Sequence, residues 1–523
     1  MTEILDNNRD AILRHIGRLE SLVAEAKAGG GAKYVQRHHD RGRLLARERV
    51  ELLVDRSSPF LELSPTAAAG TEFQAGASVI TGVGLVNGVP VMIMANDPTV
   101  RGGATNPYTM DKILRAFDVA EECTLPVVFL VESGGADLPT QAEFFLKGGG
   151  QYRQLARLSA QGLPTMSVVF GNATAGGAYH PGMSEYVVMV RGAAHAFLGG
   201  PPLVQMATGE VSDAETLGGA EMHARVSGLC DYLAEDEPDA LRIARNIVGR
   251  WRATSRRVAV DRAPRPPAAG SEAILDLLPA NPRSPIEPVE LLKTFLDGSE
   301  FEEFKPLYGT SMCTGWGTLC GIDVGVVANR AGAIFSEDAN KSAQFIQICN
   351  KMNVPILFVQ NTTGFMVGAR YERAGIIKDG SRLINVIANS KVPHLTLMAA
   401  ASYGAGNYGM SGRAFRPRFV FAWPNSRTAV MGAEQLAGVM VTVRKQSMAA
   451  RGEELSAEEE NQIRASIEEQ IRAEEDAFAN SARIYDDGVI DPRDTRWALG
   501  MALLACRDRE RPARETDYGV FRM

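Results

Sequence analysis

The chain has 523 residues, 45% hydrophobic and 22% charged, a globular composition that excludes a wholly disordered or fibrous chain. Its 55 basic and 62 acidic residues leave a net charge of −7, so no overall basic excess makes a polyanion the main partner. Six cysteines without a CxxC pair argue against a disulfide framework or zinc ribbon, and no run approaches the roughly 18 apolar residues of a bilayer span; the expectation is a soluble, cytoplasmic protein with no nucleic-acid partner, no membrane partner and no metal.

The N-terminus, MTEILDNNRD, is polar and lacks an apolar signal region. Residues 8 to 54 read helical and carry a basic run: Arg37, His38, His39, Arg41, Arg43, Arg47 and Arg49. That run is either a solvated helix surface or subunit contact, or a patch facing phosphate. Further on, residues 78–96 (SVITGVGLVNGVPVMIMAN) and 311–329 (SMCTGWGTLCGIDVGVVAN) share eight of nineteen positions at an offset of 233. TLPVVFLVESGGA (124–136) matches NVPILFVQNTTGF (353–365) at 229. GLPTMSVVFGNATAGGAY (162–179) matches KVPHLTLMAAASYGAGNY (391–408), also at 229, and AFLGG (196–200) matches AVMGA (429–433) at 233. Ordered matches at nearly constant spacing mean a tandem duplication.

In each repeat, apolar Val/Ile/Leu/Phe runs end in glycine-rich turns and are followed by helical stretches. Such runs fit strands buried on both faces of a mostly parallel sheet, and the alternation places the chain in the α/β class. The stretch from Arg262 to Gly270 holds three prolines and no apolar period, as an extended linker would. The expected division is residues 1–262, a linker over 263–272, and residues 273–523. In the tail, Ser456 and Glu459 form a capping-box signature opening an exposed helix expected over 458–478.

Most catalytic sets are missing. There is no G-x-S-x-G elbow, no GxxxxGK[ST] loop, and no metal spacing among the seven histidines. His180 follows a glycine turn and reads as a satisfied or surface histidine. What remains is four glycine turns in duplicated register: Ser133-Gly134-Gly135-Ala136 and Ala175-Gly176-Gly177-Ala178, then Thr363-Gly364-Phe365 and Gly404-Ala405-Gly406-Asn407. Small residues let a backbone approach a ligand, and free amides at a helix start carry partial positive charge. Such turns can act as oxyanion holes. Two holes suit transfer of a group between two carbonyl-type partners, with no side-chain nucleophile.

At this point the sequence resembles the carboxyltransferase (beta) subunits of biotin-dependent acyl-CoA carboxylases. The strings HDRGRLLARERVELLVD, SGGADLPTQ, TAGGAY, GGPPLV, DGSEFEEFKPLYGT, NTTGFMVG, SYGAGNYGM and DDGVIDPRDTR carry the resemblance, which covers nearly the whole chain. It implies two tandem crotonase-like (ClpP/crotonase) domains, an acyl-CoA side in the N-terminal half and a biotin side in the C-terminal half. Carried over to this chain, it places the thioester hole at Gly176 and Gly177 and the biotin ureido hole at Ala405 and Gly406. Gly134, Gly135 and Ala136 would border acyl-CoA, with Arg101, Gly102 and Gly103 near the CoA. Thr363, Gly364, Phe365 and Gly404 would border biotin. The resemblance further implies biotin carried on a partner, coenzyme A as part of the substrate, and a biotinylated alpha subunit with biotin carboxylase and carrier domains. It also implies a homohexamer within an α6β6 complex, with each site between the N-domain of one subunit and the C-domain of another.

SGGADLP, NTTGFMVG and YGAGNYG are similar to the 3-methylcrotonyl-CoA and geranyl-CoA branch, with Glu132 and Asp137 standing where that branch commonly has Asp and Asn. 3-Methylcrotonyl-CoA is the first expectation for the substrate. Propionyl-CoA, geranyl-CoA, a biotin-dependent decarboxylase running the transfer backwards, and a crotonase-type scaffold without a biotin step are the alternatives.

Overall fold

The structure, a computed structural model, describes residues 2–251, 262–281, 284–451, 454–506 and 520. The chain forms two units, residues 21–259 with 504–523 and residues 1–20 with 260–503. The division near 260 lies beside the proline-rich stretch, which runs without helix or strand from 262 to 270. The first twenty residues group with the second unit rather than the first. Within the helix Thr2–Lys27, Ile12, Ile16 and Leu19 are buried. Arg9 pairs with Glu272 and Asp276, each at 2.7 Å, and the Arg18 guanidinium lies 4.3 Å over the Phe478 ring.

The first unit is built on the strands β1 (Phe60–Leu63), β2 (Val79–Val86), β3 (Val89–Asn96), β4 (Val127–Ser133), β5 (Thr165–Thr174), β6 (Tyr186–Val190), β7 (His195–Phe197) and β8 (Tyr232–Ala234). They lie in the order β1-β2-β3-β4-β5-β6-β8, with β7 beside the end of β5. β1, β2 and β3 pair antiparallel; from β3 onward the sheet is parallel. All residues of β3 and β4 are buried, which explains why these runs show no alternation of apolar and polar positions.

The second unit repeats this with β9 (Phe301–Phe304), β10 (Met312–Leu319), β11 (Ile322–Asn329), β12 (Ala333–Ile334), β13 (Ile356–Thr362), β14 (Gly364–Phe365), β15 (His394–Tyr403), β16 (Phe419–Ala422) and β17 (Arg427–Ala429). Its main sheet runs β16-β15-β13-β11-β10-β9, with β17 beside β15. The duplication extends to single bonds. Val79 faces Asn96 as Met312 faces Asn329. The β4–β5 ladder slips register between Val131 and Ser133, and the β13–β15 ladder slips between Gln360 and Thr362. A buried lysine closes the same loop in each unit: Lys112 donates to the carbonyls of Gly76 and Val79, Lys341 to those of Gly309 and Met312. A buried ammonium is tolerable only when so bonded; burial still pushes Lys112 down to about 8.

The basic N-terminal region is three helices, Thr2–Lys27, Ala32–His39 and Ala46–Leu53. In the tail, Ser456 and Glu459 do form a reciprocal capping box on the helix Ala457–Glu474, which buries none of its residues. That helix ends earlier than expected: Phe478 belongs to a separate short helix, Ala477–Ala482, and is 2% exposed. A core phenylalanine cannot sit on a solvated helix face.

Candidate active site

β5 and β15 end at corresponding turns. Ala175 takes a left-handed backbone, φ 53°, and opens a tight turn over Ala175–Ala178 that leads into the helix Tyr179–Met183. Gly404, φ 54°, opens the helix Gly404–Gly409 at the corresponding place. Glycine adopts this conformation freely and alanine only at a cost. Neither turn has a capping side chain, so the amides of the first residues lack the acceptor that most helix starts provide.

The other two turns are built differently. The Gly134 amide donates to the Gly102 carbonyl (2.9 Å) and the Gly135 amide to Ser133 Oγ (3.2 Å). The Thr363 amide donates to the Gly332 carbonyl (2.7 Å) and the Gly364 amide to Thr362 Oγ1 (3.1 Å). At these two turns the amides of Gly134, Gly135, Thr363 and Gly364 are thus taken by internal acceptors, whereas no such acceptor meets the first amides of the turns at 175–178 and 404–409 among the described residues. Thr363 to Phe365 also precede no helix directly, since Gly364–Phe365 is a strand paired with Ala333–Ile334.

Arg101–Gly103 packs against the turn at Ser133–Ala136. A side chain on Gly103 would meet the Glu132 carbonyl at 2.3 Å. Arg101 pairs with Asp137 at 3.2 Å and lies 5.5 Å over the Phe73 ring.

A cavity of about 560 Å³ opens at Gly176 and Gly177. Met110, Ile113, Phe144, Phe145 and Leu146 give it an apolar wall, and Gly135, Ala136 and Gly148 also line it. Gly148 lies close under Met110, where a Cβ would come 2.9 Å from Cε, the flexible end of that side chain. Tyr152 Oη donates to the Gly176 carbonyl and leaves no room for a side chain on Gly176, whose Cβ would come 2.5 Å from that oxygen. His180 is buried, stacked on Phe129 and bonded to Gln151; burial pushes its pKa down to about 4. It is a neutral cavity wall, satisfied at one nitrogen.

A second cleft, about 470 Å³, borders the same Arg101–Asn106 segment and is lined by Tyr34, Arg37, Arg41, Phe73 and Arg101, with Glu72 at its edge. The basic run therefore has two fates. Arg37 and Arg41 are exposed and have no ion-pair partner among the described residues. Arg43, Arg47 and Arg49 are structural: Arg47 pairs with Glu62, while Arg43 and the fully buried Arg49 clamp Glu132, and Arg49 also bonds Glu237. Burial opposes ionisation of Glu132, but the two guanidiniums outweigh it and hold its carboxyl below the usual range.

In the second unit, Asn407 donates to Ser402 Oγ, which donates to Gln360, which donates to the Met410 carbonyl. This chain braces the turn at Ala405 and Gly406. Ala405 is exposed and Gly406 buried, and a Cβ on Gly406 would meet Thr362 Oγ1 at 2.6 Å. Donors without a cap, beside an exposed small residue, fit a urea-type carbonyl oxygen. Among the described residues no cluster of His, Cys, Asp and Glu could hold a metal ion, and no helix is long and apolar enough to cross a membrane.

Residues 37–518 match a family described as the carboxyl transferase domain. The chain is 55% identical over 516 residues to a probable biotin-dependent acyl-coenzyme A carboxylase beta2 subunit of Mycobacterium tuberculosis, covering 97% of this chain and 96% of the other. It is 45% identical to a biotin-dependent 3-methylcrotonyl-coenzyme A carboxylase beta1 subunit of the same organism, covering 98% and 97%. In structure it superposes on the geranyl-CoA carboxylase beta subunit of P. aeruginosa with a TM-score of 0.92 and 41% identity, covering 99% and 98%.

Proposed function

The chain belongs to the carboxyl transferase family, as a beta subunit of biotin-dependent acyl-CoA carboxylases, and on that premise we propose that it carboxylates an enoyl- or acyl-CoA with an apolar acyl group larger than propionyl, 3-methylcrotonyl-CoA being the first candidate. The observation that carries this reading is the apolar cavity opening at Gly176 and Gly177 and lined by Met110, Ile113, Phe144 and Gly148. A propionyl group would leave most of such a cavity unfilled, and unfilled apolar surface contributes nothing to affinity.

In this reading the amides at Gly176 and Gly177 face the thioester oxygen, where negative charge grows as the substrate loses its proton. Amides held in place before the reaction stabilise that charge without reorganising. Tyr152, bonded to the Gly176 carbonyl, polarises and positions the same peptide unit. The amides at Ala405 and Gly406 take the ureido oxygen of biotin, braced from behind by Asn407, Ser402 and Gln360. Biotin, delivered by a partner, supplies the transferable carboxyl group and the base. Arg37, Arg41 and Arg101 face the phosphates of coenzyme A, as charge-assisted donors do, and Tyr34 and Phe73 offer it aromatic surface. The working assembly is a homohexamer joined to biotinylated alpha subunits.

The test is reconstitution with a biotinylated, ATP-using partner and a panel of propionyl-, 3-methylcrotonyl- and geranyl-CoA. The expected result is bicarbonate- and ATP-dependent carboxylation of the two larger esters at higher kcat/KM than propionyl-CoA. A preference for propionyl-CoA overturns the substrate assignment. Carboxylation by the purified chain alone overturns the division of labour.

A further inference from the structure

A second set of contacts, separate from the chain of Asn407, Ser402 and Gln360, reaches the turn at Ala405 and Gly406. Tyr403, the last residue of β15, directly precedes Gly404 and is 4% exposed. Its Oη donates to Glu475 Oε2 at 3.0 Å. Glu475 lies just past the helix Ala457–Glu474 and is 7% exposed. The Glu475 carbonyl accepts from the Thr428 amide of β17 at 2.9 Å. One residue thus holds the ends of two neighbouring strands, β15 through a side chain and β17 through the main chain. The next residue, Asp476, is fixed in turn by Arg427 at 3.1 Å and Arg18 at 3.0 Å.

The spacing of those strand ends bears on the turn. β15 and β17 pair through Tyr403 and Ala429, and a side chain on Gly404 would meet the Val430 carbonyl at 3.0 Å. The chain that leaves β17 therefore lies against the residue that opens the turn. A buried carboxyl is tolerable only when bonded, and Tyr403 is the side chain that bonds Glu475 among the described residues. The duplication sharpens the point. Tyr403 has Thr174 as its counterpart at the offset of 229, and Tyr152, whose hydroxyl holds the acyl-side turn, has Ser381. Ser381 is exposed and donates to the Lys378 carbonyl of its own helix. Each turn is thus served by one bonded phenol, supplied from a different element in each half.

Resting on the function proposed above, we propose that Tyr403 and Glu475 are positioning residues for the biotin half of the reaction. The hydrogen bond between them fixes where β15 ends, and with it the amides of Ala405 and Gly406 that follow. An amide that must reorganise to meet a growing charge stabilises it less than one already in place. Neither residue lines the acyl cavity, so the affinity for the CoA ester is independent of them.

The experiment is single-turnover transfer from the carboxylated partner to whichever ester of the panel the reconstituted wild type uses best. Tyr403→Phe keeps the ring and removes only Oη; it is expected to slow transfer about tenfold, as small misplacements of catalytic groups do. The KM for the ester should stay within about twofold, because the interaction lost belongs to the transition state. Glu475→Gln keeps an acceptor for the phenol and should transfer within about threefold of wild type, whereas Glu475→Leu should be as slow as Tyr403→Phe. A bond that serves stability alone lowers unfolding midpoints and leaves the rate of the folded enzyme unchanged. Undiminished transfer in Tyr403→Phe therefore overturns the proposal. So does a Glu475→Gln enzyme as slow as Tyr403→Phe, or a Tyr403→Phe chain that does not fold. A wild type that carboxylates no ester overturns the proposed function and this inference with it, whereas an active wild type beside an unimpaired Tyr403→Phe overturns this inference alone.

Discussion

Tyr152 Oη donates a 3.0 Å hydrogen bond to the carbonyl of Gly176, and the same oxygen occupies the space a side chain on Gly176 would need. Gly176→Ala is therefore expected to displace the turn and cost about a hundredfold in carboxyl transfer, the loss typical of one oxyanion donor. Removing the hydroxyl with Tyr152→Phe clears the clash, since the next ring atom is 3.8 Å away. The double variant should recover part of the loss. A double variant no better than Gly176→Ala, measured by kcat, would falsify the steric account.

At the other turn, Ala405→Pro deletes one amide at a position where proline suits a helix start. Transfer from the biotinylated partner should fall by about a hundredfold while thermal unfolding stays within a few degrees of wild type. Undiminished transfer in a folded variant would assign this turn a purely structural role.

Arg37→Ala and Arg41→Ala should each raise the KM for acyl-CoA roughly five- to tenfold and leave kcat nearly unchanged, as loss of uniform binding does. Added salt should mimic both substitutions. Arg49→Ala is different in kind. It leaves Glu132 and Glu237 without their buried partner, and a loss of stability of about 3 kcal/mol or more is expected in denaturant titrations.

Gly148→Val puts a branched side chain where Met110 Cε already stands. Steady-state kinetics should show geranyl-CoA losing at least about tenfold in kcat/KM and propionyl-CoA losing little. Equal losses for both esters would mean that this helix position does not set cavity depth.

His180 and His394 are both buried, and burial pushes each from 6.5 down to about 4. Protonation then favours the unfolded chain, so stability from both is complete above pH 6.5 and is lost as pH falls toward 4. Each contributes on the order of 3 kcal/mol over that window. Urea midpoints across this range should fall with pH, and less steeply in His180→Phe. An unaltered slope in that variant would show the histidine to be solvated.

The repeat was legible because the strand ends keep their residues: T-G-x-G and A-N recur where β2, β3, β10 and β11 fit side chains against one register. The glycine turns were legible as a set, but not their division of labour. Whether the Gly134 amide is free depends on the Gly102 carbonyl, thirty-two positions earlier, and pairing over such separations leaves no local signature. The basic run hid its two fates for a related reason: one helix ends at His39 and the next starts at Ala46, with Arg37 exposed on the first and Arg49 buried on the second. Lys112 and Lys341 stand at the repeat offset of 229, a sign that was available but lay outside the matching strings. The Gln151–His180 bond joins two helices across twenty-nine positions; His180 stood out after its glycine turn, but nothing in the sequence pointed to Gln151 as its partner.

The helix Thr2–Lys27 carries one further consequence. Its first twenty residues belong with residues 260–503, yet the ribosome makes them long before that surface exists. At roughly 5–20 residues per second, Ile12 and Ile16 wait for tens of seconds without the partners that bury them. The second unit thus completes its core only once residues 260–503 have followed, around a segment made well before them, and a nascent-chain chaperone has that interval in which to hold it.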